Sequence, residues 1–406
     1  MKALDVLNKL SLLCSLGLSW LYGSGELSSL LSLDREALFR YQQEQTQQQS
    51  KTLENSWINP VVLQYSKSYS TQFGETLGSG QFMIAVDQPI FKMGGILSAI
   101  KYAKARGRAE GLDIEIQKRQ QIAQALEILY NLEKSRYQLK KLELTIQNDM
   151  LDIAIQKESY EAGVTNRTLY DQALLKYNQD RTAQLDLGLS ITKLENDFSL
   201  LSDEDPWRIA LPHFDMIDEE RYLNNQLELQ REASRVEEKD HNQYMIFSKY
   251  LPEISITGRY VNEDLNPLFV QPNSSLNRAY YTYGFKVSLP INVNTFHDIQ
   301  SAKIDYLNAK IAQDEKQKSI RNKFRLIQKR LQIIDQKIAL SKEDEAHYQS
   351  MLTTTQELEA LGDKTPLDSE IVANTLKIRQ IDQAIYKLDA QLELMQLYTN
   401  VADALE

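Results

Sequence analysis

A histidine does chemistry only with partners in reach, and the four in this chain, His213, His241, His297 and His347, lie far apart. None stands with its neighbours at the spacing that aims two imidazoles at one metal ion, so all four read as surface residues. The acidic runs Glu237-Glu238 and Asp203-Glu204-Asp205 read as a solvated face and a connector. There is no glycine-rich loop to cradle a phosphate, no nucleophile elbow and no paired-cysteine motif. The reading is of a protein that is not an enzyme, with no catalytic residue, no metal and no cofactor. Nothing in the chain could bind or hydrolyse a nucleotide, so any work it takes part in is driven from elsewhere.

The elements that hold these residues are long. In 406 residues there are only 15 glycines and 9 prolines, which implies few turns. The net charge of −10 argues against nucleic acid as a partner. No window reaches the roughly 18 consecutive apolar residues of a membrane-spanning helix, so any membrane passage must use another structure.

Residues 1–25 read as a signal peptide, with Lys2 and Lys9 flanking the basic region, Leu10 to Leu21 apolar, and Gly23, Ser24 and Gly25 small enough for cleavage. The alternative is an amphipathic first helix. The single cysteine, Cys14, lies inside the apolar stretch, so the mature chain would carry no thiol. Lipidation of Cys14 is disfavoured by Leu13, where a small residue is normal. Without the leader 44 basic residues face 55 acidic ones, about −11.

Two alternating segments, 82–91 and 281–291, each end in a proline followed by an apolar residue. After Pro89 a helix-compatible run leads to Gly163, 74 positions on, and after Pro290 a similar run leads to Gly362, 72 positions on. The offsets, 201 between the prolines and 199 between the glycines, describe an internal duplication. The expected organisation is a first repeat over 26–205 and a second over 206–406, each reading helix, strand, strand, very long helix, turn, long helix. The strands are expected at about 60–71, 81–91, 252–262 and 280–292.

Along them Val61, Leu63, Tyr65 and Tyr69 alternate with Gln64, Ser66, Ser68 and Ser70, and Tyr281, Tyr283, Phe285, Val287 and Leu289 alternate with Thr282, Gly284, Lys286 and Ser288. Segments of roughly 9 to 11 residues cross a bilayer as tilted strands. A soluble sandwich with one buried face gives the same alternation. Four strands cannot close a membrane sheet, which needs at least about eight, but three copies would supply twelve. The fold class expected is therefore α+β and membrane-inserted: a homotrimer whose 12-stranded β-barrel, four strands per chain, continues into an α-helical coiled-coil barrel. The connections 73–80 and 262–278 carry polar turn chemistry suited to an extracellular side.

From Gly94 to about Tyr160 there is no proline, and a helix of about 65 residues would reach on the order of 100 Å. Ile122, Leu126, Leu129, Leu132, Leu139, Leu142 and Ile146 form one seam, and Ile304, Ile311, Ile320, Phe324, Ile327, Leu331, Ile334 and Ile338 a second. An intracellular coiled coil would account for these helices but not for the leader or the strands. Gly163 and Gly362 stand where the chain must reverse, because a left-handed cap suits glycine. Thr168 or Asp171, and Thr365, Pro366 and Asp368, suit the starts of the returning helices.

With the repeat, the prolines Pro89 and Pro290 and the tips 160–173 (YEAGVTNRTLYDQA) and 359–373 (EALGDKTPLDSEIVA), the chain resembles the TolC-like outer-membrane efflux and secretion proteins. The resemblance covers almost everything after the leader. It implies a trimeric channel-tunnel in the outer membrane that extends into the periplasm, serving as a passive exit duct in tripartite efflux or type I secretion. Its partners would be outer-membrane lipid, a periplasmic adaptor (membrane fusion) protein and an inner-membrane transporter. The adaptor would meet the hairpin tips of 160–171 and 359–368 at Ala162, Gly163, Val164, Leu361, Gly362 and Asp363. Asp368, six positions after Gly362, stands where the family places an acid at the periplasmic gate, with Lys364 beside it. An ordinary helix N-cap accounts for Asp368 as well. The chain departs from the pattern at Leu169 and at Ile371, which puts a double acidic ring in doubt. The rival from another class is a periplasmic coiled-coil structural or adaptor protein that never enters a membrane.

Overall fold

The computed structural model describes residues 30–71, 74, 76–263 and 279–402. The expected leader with Cys14, and nearly all of the 262–278 connection, lie outside them. Among the described residues no helix is long and apolar enough to cross a membrane. The chain divides into two compact units, one of Tyr41–Ile114 and Glu228–Gln317, the other of Met1–Arg40, Glu115–Leu227 and Lys318–Glu406. The long helices contribute to both.

The elements are α1 (Leu33–Glu54), β1 (Val62–Ser70), β2 (Leu77–Phe91), α2 (Gly95–Glu161), α3 (Arg167–Ser199), α4 (Glu219–Asn224), α5 (Leu227–Ser248), β3 (Glu253–Glu263), β4 (Ala279–Ser288), α6 (Thr295–Leu361) and α7 (Pro366–Tyr398). Both long helices, α2 and α6, have 67 residues, and both returning helices, α3 and α7, have 33.

The first unit holds a four-stranded antiparallel sheet in the order β1-β2-β3-β4. Leu63 pairs with Ile84, Ile84 with Tyr260 and Tyr260 with Tyr281, so one row of apolar side chains crosses all four strands. Strand β2 starts at Leu77, inside the stretch expected as a turn, so the β1–β2 connection is shorter than the sequence suggested. Pro89 sits within β2 at a register shift between Pro89 and Phe91, because proline has no N–H for the ladder. Strand β4 stops at Ser288, before Pro290, not at 292. Below the sheet, Arg231 and Arg235 of α5 share Asp113 of α2 at 2.9 and 2.8 Å. Gly107 lets α1 approach α2 closely, since a Cβ there would lie 2.4 Å from Ser50 Oγ.

In the second unit the side-chain bonds fix the lateral order α3-α2-α7-α6. Helix α3 meets α2 through Lys176 and Asp149 at 2.6 Å. Helix α2 meets α7 through Lys134–Asp389 at 2.5 Å, Lys141–Asp382 at 2.6 Å and the Asn374–Asn148 amide pair at 3.0 Å. Helix α7 meets α6 through Gln383–Glu345 at 2.6 Å and Arg330–Glu393 at 3.2 Å. The α2 seam is buried at Ile122, Leu126, Leu129, Leu132 and Ile146. Of the expected α6 seam Ile320, Phe324, Ile327 and Ile334 are buried, whereas Ile304 and Ile311, in the part of α6 that belongs to the first unit, are exposed. They fall on a different stripe of the same helix, a distinction that steps of seven residues blur.

The connector 205–217 is strapped down by side chains. The Gln391 amide brackets Phe214, accepting its N–H at 2.8 Å and donating to its carbonyl at 3.2 Å. The buried Tyr130 hydroxyl donates to the Pro212 carbonyl, and Tyr398 to that of Asp215. Asp203 and Asp205, read from the sequence as part of a connector, accept the N–H groups of Leu33 and Trp207 at 3.2 and 3.0 Å.

Candidate functional site

Both helical hairpins reverse in the same way. Gly163 and Gly362 have φ of 74° and 81°, the left-handed region that costs an L side chain. In the first tip the Gly163 N–H reaches the Tyr160 carbonyl at 3.0 Å and the Val164 N–H that of Ser159 at 2.9 Å. In the second, Gly362 bonds Glu359 at 3.0 Å and Asp363 bonds Leu358 at 2.9 Å. This is the Schellman pairing, which satisfies carbonyls the helix end would leave open. It leaves Val164 and Leu361 projecting, 78% and 76% exposed. All six tip residues, Ala162, Gly163, Val164, Leu361, Gly362 and Asp363, are exposed.

The returning helices are capped differently. Helix α3 begins at Arg167 behind Asn166, whose side chain accepts the Leu169 N–H at 3.4 Å, so the cap lies upstream of Thr168 and Asp171. Helix α7 has Thr365 as its cap and Pro366 in its first turn. Asp368 is the third residue of a capping box: its carboxylate takes the Thr365 N–H at 3.0 Å and its own N–H reaches the Thr365 hydroxyl at 3.3 Å. The Thr365 N–H, helped by the Thr365 hydroxyl and by Lys364 at 3.8 Å, holds the Asp368 carboxyl below its ordinary value. The candidate gate pair, Asp368 and Lys364, is thus one local ion pair at the foot of α7.

The sheet supplies the other candidate surface, and its apolar face is bare where a soluble sandwich would bury it. The apolar face carries Leu63, Tyr65, Tyr281, Tyr283, Phe285 and Val287, all exposed, with Tyr283 at 82%. The fully buried sheet residues, Val261 and Ser255, lie on the opposite face, which also holds the Lys286–Asp87 ion pair. Among the described residues no strand lies beside the outer edges of β1 and β4.

The histidines stay apart. His213 lies 3.7 Å from Asp215 and His347 lies 4.0 Å from Glu343, both on the surface. Among the described residues no group of three or more His, Cys, Asp or Glu could hold a metal ion. Sequence reasoning missed the buried acids Asp149 and Asp382. The signal was there: Asp149 follows Ile146 and Leu142 at steps of three and four, on the face that packs inward.

Residues 61–201 match the family model described as outer membrane efflux protein. No curated protein matches the chain. Among solved structures it is similar to the CmeC outer membrane channel of Campylobacter jejuni, with a TM-score of 0.74 and 14% identity over 94% of this chain and 85% of that one. It is similar to the outer membrane protein VceC of Vibrio cholerae, with a TM-score of 0.74 and 13% identity over 93% and 95%. CusC, described in connection with transmembrane channel formation, gives a TM-score of 0.71 and 16% identity over 92% and 90%. The family match spans β1, β2, α2 and α3, and the likeness to the solved structures extends over more than nine-tenths of the length, so the chain has the fold of these outer membrane channels and carries the efflux-protein pattern over residues 61–201.

Proposed function

We propose that this chain is an outer-membrane exit duct, a passive trimeric channel that serves an efflux or type I secretion system through a periplasmic adaptor and an inner-membrane transporter. The observation that carries the proposal is the sheet: its apolar face is bare, and among the described residues both its edges are open. A soluble protein seldom leaves so large an apolar patch in water. In lipid the same face is satisfied, provided every backbone N–H and C=O is paired by closure into a barrel. Three copies joined β4 to β1 would make twelve strands, with Asp87, Lys286 and Thr257 turned to the lumen.

The helical unit supports the same head-to-tail contact. Its flanking helices carry exposed apolar stripes, Leu175, Leu185 and Leu189 on α3 and Leu326, Ile333 and Leu340 on α6. A stripe at each end of an open row of helices fits a ring in which α6 of one copy meets α3 of the next. On this reading the chain is two copies of one unit, 26–205 and 206–406. The exposed tips around Gly163 and Gly362 meet the adaptor, and Asp368 with Lys364 lies at the periplasmic mouth.

The test is to fractionate the envelope of producing cells, extract the protein in mild detergent and measure its oligomeric mass. A trimer from the outer membrane is expected. A soluble periplasmic monomer would overturn the barrel and leave a coiled-coil protein of the periplasm.

A further inference from the structure

The α2–α3 hairpin buries an acid that the duct does not need. Asp149 of α2 is 2% exposed. Its Oδ1 takes the Lys176 ammonium at 2.6 Å, but its Oδ2 is buried with no donor. A carboxylate oxygen left dry and unbonded is costly, so a donor is to be sought nearby. Asp180 stands one turn beyond Lys176 on the same face of α3, with its carboxyl within hydrogen-bond reach of Asp149. Two carboxylates have only acceptors to offer each other, whereas a carboxylic acid and a carboxylate form a strong O–H···O bond.

The charged neighbours are few. Asp152 of α2 is occupied by the Gln156 amide at 3.2 Å, and Lys176 already holds Oδ1. Helix α7 meets this stretch of α2 through neutral groups, Asn374 and Thr375 against Asn148.

We propose that Asp149 and Asp180 share one proton across the hairpin, making a clasp that tightens in acid: the protonated Asp180 donates to Asp149 Oδ2 while Lys176 holds Oδ1. Burial first, and then the facing Asp149, raise the Asp180 carboxyl above its ordinary value of 3.8, while Lys176 opposes them. A raised acid stabilises the folded form fully below its ordinary value and loses that contribution as pH rises through the raised one. The hairpin therefore grips harder as its surroundings acidify and slackens toward neutrality.

The experiment is hydrogen exchange on the full-length protein in detergent at pH 7.5 and at pH 3.8, the ordinary value of the carboxyl, corrected for the intrinsic rate, following peptides around 145–156 and 172–184. Wild-type protection of these peptides rises about tenfold at the lower pH, the effect of one charge-assisted hydrogen bond. Asp180→Asn, whose amide donates at any pH, shows the acid level of protection at both. Asp180→Ala shows the lower level at both and reports on folding. Protection that is independent of pH in the wild type, or an unchanged pH response in Asp180→Asn, would overturn the clasp. Protection gained at pH 7.5 on adding calcium and lost in Asp180→Asn would assign the pocket to a metal ion instead.

Discussion

Two glycines of the α2–α3 hairpin answer to the same substitution with opposite sign. Gly163 has φ of +74° with open space where a Cβ would go, so Gly163→Ala meets no clash and suffers only from the left-handed backbone. That costs about 1–2 kcal/mol. Gly188 lies within α3 and also faces open space. There Gly188→Ala gains about 1 kcal/mol, because alanine loses less backbone freedom on entering a helix. The two variants therefore differ by about 2–3 kcal/mol, or roughly 30- to 150-fold in the opening equilibrium of the hairpin. Hydrogen exchange of amides in α3 reads that equilibrium where opening is local. Faster exchange near the tip for Gly163→Ala and slower exchange in α3 for Gly188→Ala are expected. Equal shifts of one sign would refute the reasoning, since they would mean that loop contacts and not backbone conformation set the stability of the tip.

Tyr130→Phe leaves the Pro212 carbonyl without its donor and should destabilise the connector by about 1–2 kcal/mol, seen as faster proteolysis within 205–217. The Asp368 carboxyl is depressed in the folded state, so the cap it forms is present above its ordinary value of 3.8 and is lost as pH falls through the lower folded value. Exchange in the first turn of α7 should therefore rise in acid in the wild type, and Asp368→Ala should show the high rate at every pH. On the duct reading Tyr283→Lys costs about 2–4 kcal/mol and blocks assembly in the outer membrane, while Thr282→Lys on the other face assembles. If both variants reach the membrane as trimers, the assignment of faces is wrong.

The elements were legible where one interaction dominates. Alternation in β1 and β4 marks strands because successive side chains take opposite faces, and lone glycines 163 and 362 mark reversals because only glycine takes that backbone at little cost. The boundaries failed where two influences compete. The Gly-rich Gly78-Ser79-Gly80 looked like a turn, yet pairing with Lys67 to Tyr69 draws it into β2. In α6, Ile304 and Ile311 fit the spacing of the buried seam but lie in the open, since spacing alone does not say which of two adjacent stripes has a neighbour. Asp368 shows the limit for the site: its position six residues past the tip glycine suited both a gate and a helix start, and the capping box accounts for it as a helix start.

The same ambiguity bears on how copies would associate. An exposed stripe is either solvated or waiting for a partner, and one Leu or Ile does not decide it. The pattern of ends does. In the sheet unit the row β1-β2-β3-β4 stops with an open edge on each side, and in the helical unit the row α3-α2-α7-α6 stops with an apolar stripe on each side. A two-fold dimer would join like to like and bury one kind of end while leaving the other bare. Only a head-to-tail ring leaves none, and three four-stranded sheets exceed the eight or so strands that a closed membrane barrel needs. On the duct reading a charge placed at Leu185 should therefore weaken trimers as strongly as one placed at Ile333, although the two residues lie on helices at opposite ends of the row. If the Leu185 variant keeps its mass in detergent while the Ile333 variant falls apart, α3 does not face a second copy and the ring must close elsewhere.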